Sequence, residues 1–183
     1  MIGKLIARMN SGRKANTDSL HLYEYLVTHA RSSRFYLTPF NVEDSIEGRF
    51  ELILVHLFIV DLWLSTSESH SVLRRTLQET LVRDMDRSLR EMGIGDMSVG
   101  KQMKKVGAAM LGRLQSYKTA LVNAQTQNDT LNGFAEIISR NIKGLEKVQN
   151  AMPLAEYMVS EVTALGREEA INRLPSEFVF TGE

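Results

Sequence analysis

The sequence predicts an all-α protein: a single compact helical domain of about six to seven helices, with a short N-terminal arm and an irregular C-terminal tail. Three observations carry this. Only three prolines, Pro39, Pro153 and Pro175, interrupt 183 residues, so long stretches lack the residue that breaks helices. Between them apolar residues recur at three- and four-residue spacing rather than in alternation, which is the period of a helix face. Apolar residues make up 43% and charged residues 24%, enough to build one core at this length and too apolar for a disordered chain.

Ile2, Leu5, Ile6 and Met9 share one face and Lys4 and Arg8 the other, and Asn10-Ser11-Gly12 is read as the break that ends this first helix. A second helix starts at the Thr17-Asp18-Ser19 cluster, carries Leu22, Tyr25, Leu26 and His29 on one face, and ends near Arg31. A loop with Thr38-Pro39 follows. The third helix, about 43–64, is apolar nearly all round, the pattern of a central helix contacted on several sides.

The fourth helix, about 68–92, has Val72, Leu73, Leu77, Leu81, Met85, Leu89 and Met92 at helical spacing, and Gly93 fits a left-handed C-cap. Ser98 is expected to cap a fifth, about 99–122, with Met103, Val106, Met110, Leu114, Tyr117 and Leu121 on its stripe. Two shorter helices are expected near 131–141 and 153–164, the second with Pro153 in its first turn. A last helical turn or two around Glu168 to Leu174 precedes an extended segment from Pro175 to Phe180. The expected divisions are a basic arm at 1–15, the helical domain at 16–174 and the tail at 175–183.

Composition excludes several kinds of function. With no cysteine there is no disulfide, thiolate zinc site or cysteine nucleophile. Twenty-two basic residues balance 22 acidic ones, so no global field attracts DNA or an anionic membrane. The N-terminus lacks the apolar run and cleavage site of a secretory signal, and Phe50 to Leu64 is interrupted by Glu51, His56 and Asp61. A cytoplasmic protein is expected.

Catalytic motifs are missing too. His21, His29, His56 and His70 form no HExxH pairing, and neither a metal nor a cofactor is expected. Gly93, Gly95 and Gly100 join two helices and spell no phosphate-binding loop; they are read as turn residues. Glu51 and Asp61 flank His56 on one helix, an arrangement that suits acid-base chemistry in a cavity, but ten residues span about 15 Å. Carboxylates satisfied by nearby arginines are the plainer reading. Lys101, Lys104 and Lys105, with Arg113 and Lys118, make a basic stripe suited to RNA, lipid headgroups or an acidic partner, or to plain solvation. Residues 1–34 are also basic, a candidate peripheral contact with an anionic membrane.

The run Glu43-Asp44-Ser45-Ile46-Glu47-Gly48-Arg49-Phe50-Glu51-Leu52, the apolar helix with His56, and the stretch from Asp84 through Gly93 and Gly95-Asp96-Met97-Ser98-Val99-Gly100-Lys101 resemble the ubiquinol-cytochrome c chaperone family. The resemblance is strongest from about Leu20 to Leu121. It implies a non-enzymatic helical assembly factor that binds newly made cytochrome b, or a related membrane subunit, on its way into the cytochrome bc1 complex. It also implies a ribosome contact, as in the mitochondrial relatives. Asp86, Arg87, Arg90, Glu91, Asp96, Lys101, Lys104 and Lys105 are the client- or partner-binding residues carried over from it, with Gly93, Gly95 and Gly100 serving the turn. Two other readings stand beside it: an enzyme using His56, Glu51 and Asp61 in an internal helical cavity, and an RNA-binding module using Lys101, Lys104 and Lys105.

Overall fold

The computed structural model describes residues 2–166 and 175–181, with side chains from Lys14 onward save that of Met97. Six α-helices and three short 3-10 turns make up its regular structure, and no strand occurs among the described residues. The helices are α1 (Ile2–Ala30), α2 (Ile46–Leu64), α3 (Ser71–Glu91), α4 (Asp96–Asn123), α5 (Gln127–Asn141) and α6 (Val148–Leu165). The expected helical turn at 168–174 lies outside the described residues, as do the side chains of the proposed amphipathic stripe at 2–9.

Helix α2 is the hub. It packs against α1, α3, α4 and α6, while α5 bridges α4 and α6. Fourteen of its 19 residues are buried, so its apolar character on all sides is explained by neighbours on all sides. Ser45 caps it, accepting the Gly48 N–H at 3.1 Å. A Cβ at Gly48 would stand 2.1 Å from the Glu43 carbonyl oxygen, so the first turn of α2 tolerates only glycine there.

Several expected boundaries are corrected. Asn10-Ser11-Gly12 does not break the first helix, which runs on from Ile2 to Ala30. Ser19 is no cap: it is buried inside α1, donating to the Asn16 carbonyl at 3.1 Å and bonded to Thr80 at 3.3 Å. Packing of α1 on α3 overrides weak local propensity. The N-cap of α4 is Gly95 rather than Ser98. Pro153 stands in the second turn of α6, five residues past its first helical residue, Val148. Helix α5 starts earlier than expected because Thr126 and Asp129 form a reciprocal capping box.

Contrary to expectation, the tail is not extended from its start: Pro175–Glu177 form a 3-10 turn, and the residues after it are held against the core. Phe178 packs on Trp63 with centroids 4.8 Å apart, and Phe180 stacks on His29 at 4.4 Å. The Phe180 N–H donates to the Tyr25 hydroxyl, and the Thr181 N–H to the Glu161 carboxylate at 3.0 Å.

Candidate protein-binding surface

The three groups that could have formed a catalytic centre are each committed to structure. Glu51 faces α4, where Arg113 grips it through two hydrogen bonds of 2.9 and 2.8 Å. Asp61 faces α3 and accepts from Arg74 at 2.7 and 2.6 Å and from Gln78 at 2.7 Å. Both carboxylates thus have the arginine partners that burial demands.

His56 is fully buried. The Leu52 carbonyl, 2.7 Å away, can only accept, so Nδ1 donates and Nε2 is left to accept from the Tyr157 hydroxyl at 3.0 Å. Burial pushes its pKa down to about 3, and the neighbouring His29 and Arg34 add to the shift. Arg34 donates to His29 Nε2 at 2.8 Å. The result is a packed knot of His29, His56, Tyr157 and Phe35, closed over by Phe180. Arg34 and Tyr157 come from elements 22 and 101 residues away along the chain, and no sequence pattern marks them as partners of His56. Among the described residues, no group of three or more histidines and carboxylates is placed to hold a metal ion.

The turn between α3 and α4 is built as the sequence indicates. Gly93 has φ of +79°; its N–H donates to the Arg90 carbonyl and that of Ile94 to the Leu89 carbonyl, the paired bonds of a Schellman cap. Five of the carried-over residues have ion-pair partners here, three of them across the corner and two within the end of α3. Arg90 binds Asp86 and Asp96, tying the end of α3 to the start of α4. Arg87 pairs with Asp84 and reaches Glu91, and Asp84 also accepts the Tyr23 hydroxyl at 2.7 Å. Gly95 caps α4 and Gly100 lies in its first turns over open space.

Lys101, Lys104 and Lys105 are different. All three are exposed on α4 and no carboxylate pairs with them among the described residues. The same helix exposes Leu111 by 60% and Val122 by 71%. Between α3 and α4 lies a cleft of about 440 Å³, with Phe58, Leu62, Leu111 and Leu114 in its lining and Arg75 and Lys118 at its rim. A second cleft of about 460 Å³ continues it towards Val82, Arg83 and Met110, sharing Arg75 and Gln78. Of the α4 residues here, Met110 and Leu114 belong to the stripe expected from the sequence, whereas Leu111 and Val122 lie outside it.

Fold and site therefore define an all-helical protein whose unspent chemistry lies on an outer face, basic and partly apolar. The model of the ubiquinol-cytochrome C chaperone family matches residues 38–170, and the chain belongs to that family. It is similar over 98% of its length, at 31% identity and with a TM-score of 0.76, to the crystal structure of the Cbp3 homolog from Brucella abortus, of which 96% is covered. No curated protein matches it. No helix among the described residues is long and apolar enough to cross a membrane.

Proposed function

We propose that this chain is a non-enzymatic assembly chaperone that holds cytochrome b, or a related membrane subunit, during biogenesis of the cytochrome bc1 complex, and that the outer face of α4 makes the contact. The observation that carries this is the division of labour among charges. Glu51 and Asp61 are consumed by buried pairs and Arg87 and Arg90 already have carboxylate partners at the surface, whereas Lys101, Lys104 and Lys105 stand exposed on α4, which also exposes Leu111 and Val122. Cations beside exposed apolar side chains suit the holding of a partner surface. The family to which the chain belongs supplies the pathway.

The test is the triple variant Lys101→Glu, Lys104→Glu, Lys105→Glu, expressed in cells that assemble the bc1 complex. Far-UV circular dichroism of the purified variant is expected to be unchanged, because all three side chains are exposed and none has a carboxylate partner among the described residues. The reduced-minus-oxidised b-haem absorbance of membranes is expected to fall. A folded variant that supports full b-haem content would sink this assignment.

A further inference from the structure

The cleft between α3 and α4 fits one kind of occupant, and we propose that it receives an acidic amphipathic helix from a protein partner. The inference rests on the chain's being a protein-binding chaperone, and not on which protein is its client.

Geometry comes first. Ser71 and Lys118 line the same end of the cleft and Arg83 and Met110 the other, so α3 and α4 run antiparallel. From Ser71 to Arg83 is 12 residues, about 18 Å or some three helical turns. The two adjoining clefts, about 440 and 460 Å³, form one groove of that length between two helix surfaces. Its apolar lining is Leu62, Leu111 and Leu114 in the first cleft and Val82 with the largely buried Met110 in the second, and its α4 wall runs from Met110 to Lys118, about 12 Å.

The walls decide the conformation of the guest. Both are helices whose backbone groups are satisfied internally, so the groove offers no free N–H or C=O to an extended strand. A strand buried there would leave its own donors unpaired, whereas a helix satisfies them itself.

Charge decides the guest's composition. Helix α4 carries five basic residues and one acidic residue, Asp96. Arg113 is neutralised by Glu51 and Asp61 is neutralised by Arg74. That leaves Lys118, without a carboxylate partner among the described residues, and Arg75, held by Glu79 only at a loose 3.6 Å with both side chains exposed. Arg83 donates to the Thr80 hydroxyl and has no carboxylate partner among the described residues. Lys104, Leu111 and Lys118, each two turns apart, extend the same basic and apolar strip along α4. A helix with apolar anchors on one side and flanking carboxylates complements this rim.

The experiment places a photo-crosslinking amino acid, p-benzoylphenylalanine, at position 111 of the full chain and, in a second variant, at position 115. Cells that assemble the bc1 complex are irradiated and adducts are sequenced by mass spectrometry. The expected adduct is a protein segment with helical apolar spacing and carboxylates on the flanking faces. Its yield is expected to fall about tenfold when Arg75→Glu and Lys118→Glu are added, the scale of reversing two rim charges, and to survive Lys147→Glu at the remote start of α6. Adducts to phospholipid or RNA, to a segment without acids, or from neither position overturn the proposal, as does indifference to the charge reversal. Failure here with b-haem still dependent on the α4 lysines removes the groove and leaves the client reading. An acidic-helix adduct from a protein unrelated to the bc1 complex does the reverse.

Discussion

Helices α2 and α4 have opposite relations to the fold. Fourteen of the 19 residues of α2 are buried, including its histidine and both of its internal carboxylates. Helix α4 is longer, at 28 residues, yet among its described side chains only Val99, Met110 and Tyr117 are buried. Everything chemically suggestive on α2 is explained by what it touches inside the molecule. On α4 the reverse holds: Leu111, Val122 and the lysines are exposed, and the lysines have no carboxylate partner among the described residues. A polar group in the centre of a helical core is thus a weak sign of function here, and the helix that the core uses least is the better place to look.

The contrast is broken most forcefully at Trp63, fully buried near the end of α2 and packed on Phe178 of the tail. Trp63→Ala removes a large side chain that rigid neighbours cannot replace, at a cost of about 3–5 kcal/mol. Leu111→Ala on α4 removes apolar surface that is already mostly in water, and its effect is expected to stay within about 0.5 kcal/mol. Urea unfolding midpoints at constant slope measure both. Comparable losses at the two positions would mean that α4 contributes to the core far more than its exposure indicates.

A smaller effect separates the two helices by pH. The His56 pKa is pushed down to about 3 by burial. An unfolded chain takes up that proton near pH 6.5, so between about 6.5 and 3 the unfolded state binds more protons. Stability is then flat above pH 6.5 and falls as pH drops, with a limiting slope of about 1.4 kcal/mol per unit. His56→Leu is expected to lessen that slope whatever it does to the plateau, whereas the charge-reversed α4 lysines leave it unchanged. Unfolding curves at half-unit pH steps from 7.5 to 5 decide the matter; an unaltered slope in the histidine variant would assign the acid sensitivity to other groups.

How much of this was legible in the sequence follows the same division. The centrality of α2 could be read because a helix apolar on every side needs neighbours on every side. The Gly93 stop could be read because it rests on one residue in one conformation. The α1 boundary could not: Asn10-Ser11-Gly12 and Thr17-Asp18-Ser19 are locally poor helix, and the Ser19 to Thr80 contact that fixes α1 on α3 spans 61 residues. Thr126 and Asp129 spell a capping box with aspartate in the place usually held by glutamate, and so went unread. In the candidate site, the type and spacing of the charges were visible. Which of them are spent was not, since Arg113 meets Glu51, and Arg74 meets Asp61, only after the helices dock. Five of the eight carried-over residues have ion-pair partners at the end of α3 or across the turn, and the three lysines have no carboxylate partner among the described residues.

The smallest effect lies at the hinge between the two helices. Gly93 has φ of +79°, and a Cβ placed on it would meet nothing within 4 Å. The cost of Gly93→Ala is therefore purely that of forcing an L-residue into the left-handed region, about 1 kcal/mol. Gly93→Asn should cost less, because its short amide tolerates that conformation. The sequence glycine, then asparagine, then alanine in falling stability is the signature of a conformational requirement. Equal midpoints for all three would show that the Arg90 bridge from Asp86 to Asp96 holds the corner by itself. The exposure of both Arg90 and Asp96 argues against that outcome, since ion pairs in water hold long side chains only weakly. Crosslinking from position 111 in the same variants then asks whether a slackened corner opens the α3–α4 groove. If the cap sets the spacing of the helices, adduct yield drops in the order of the stabilities.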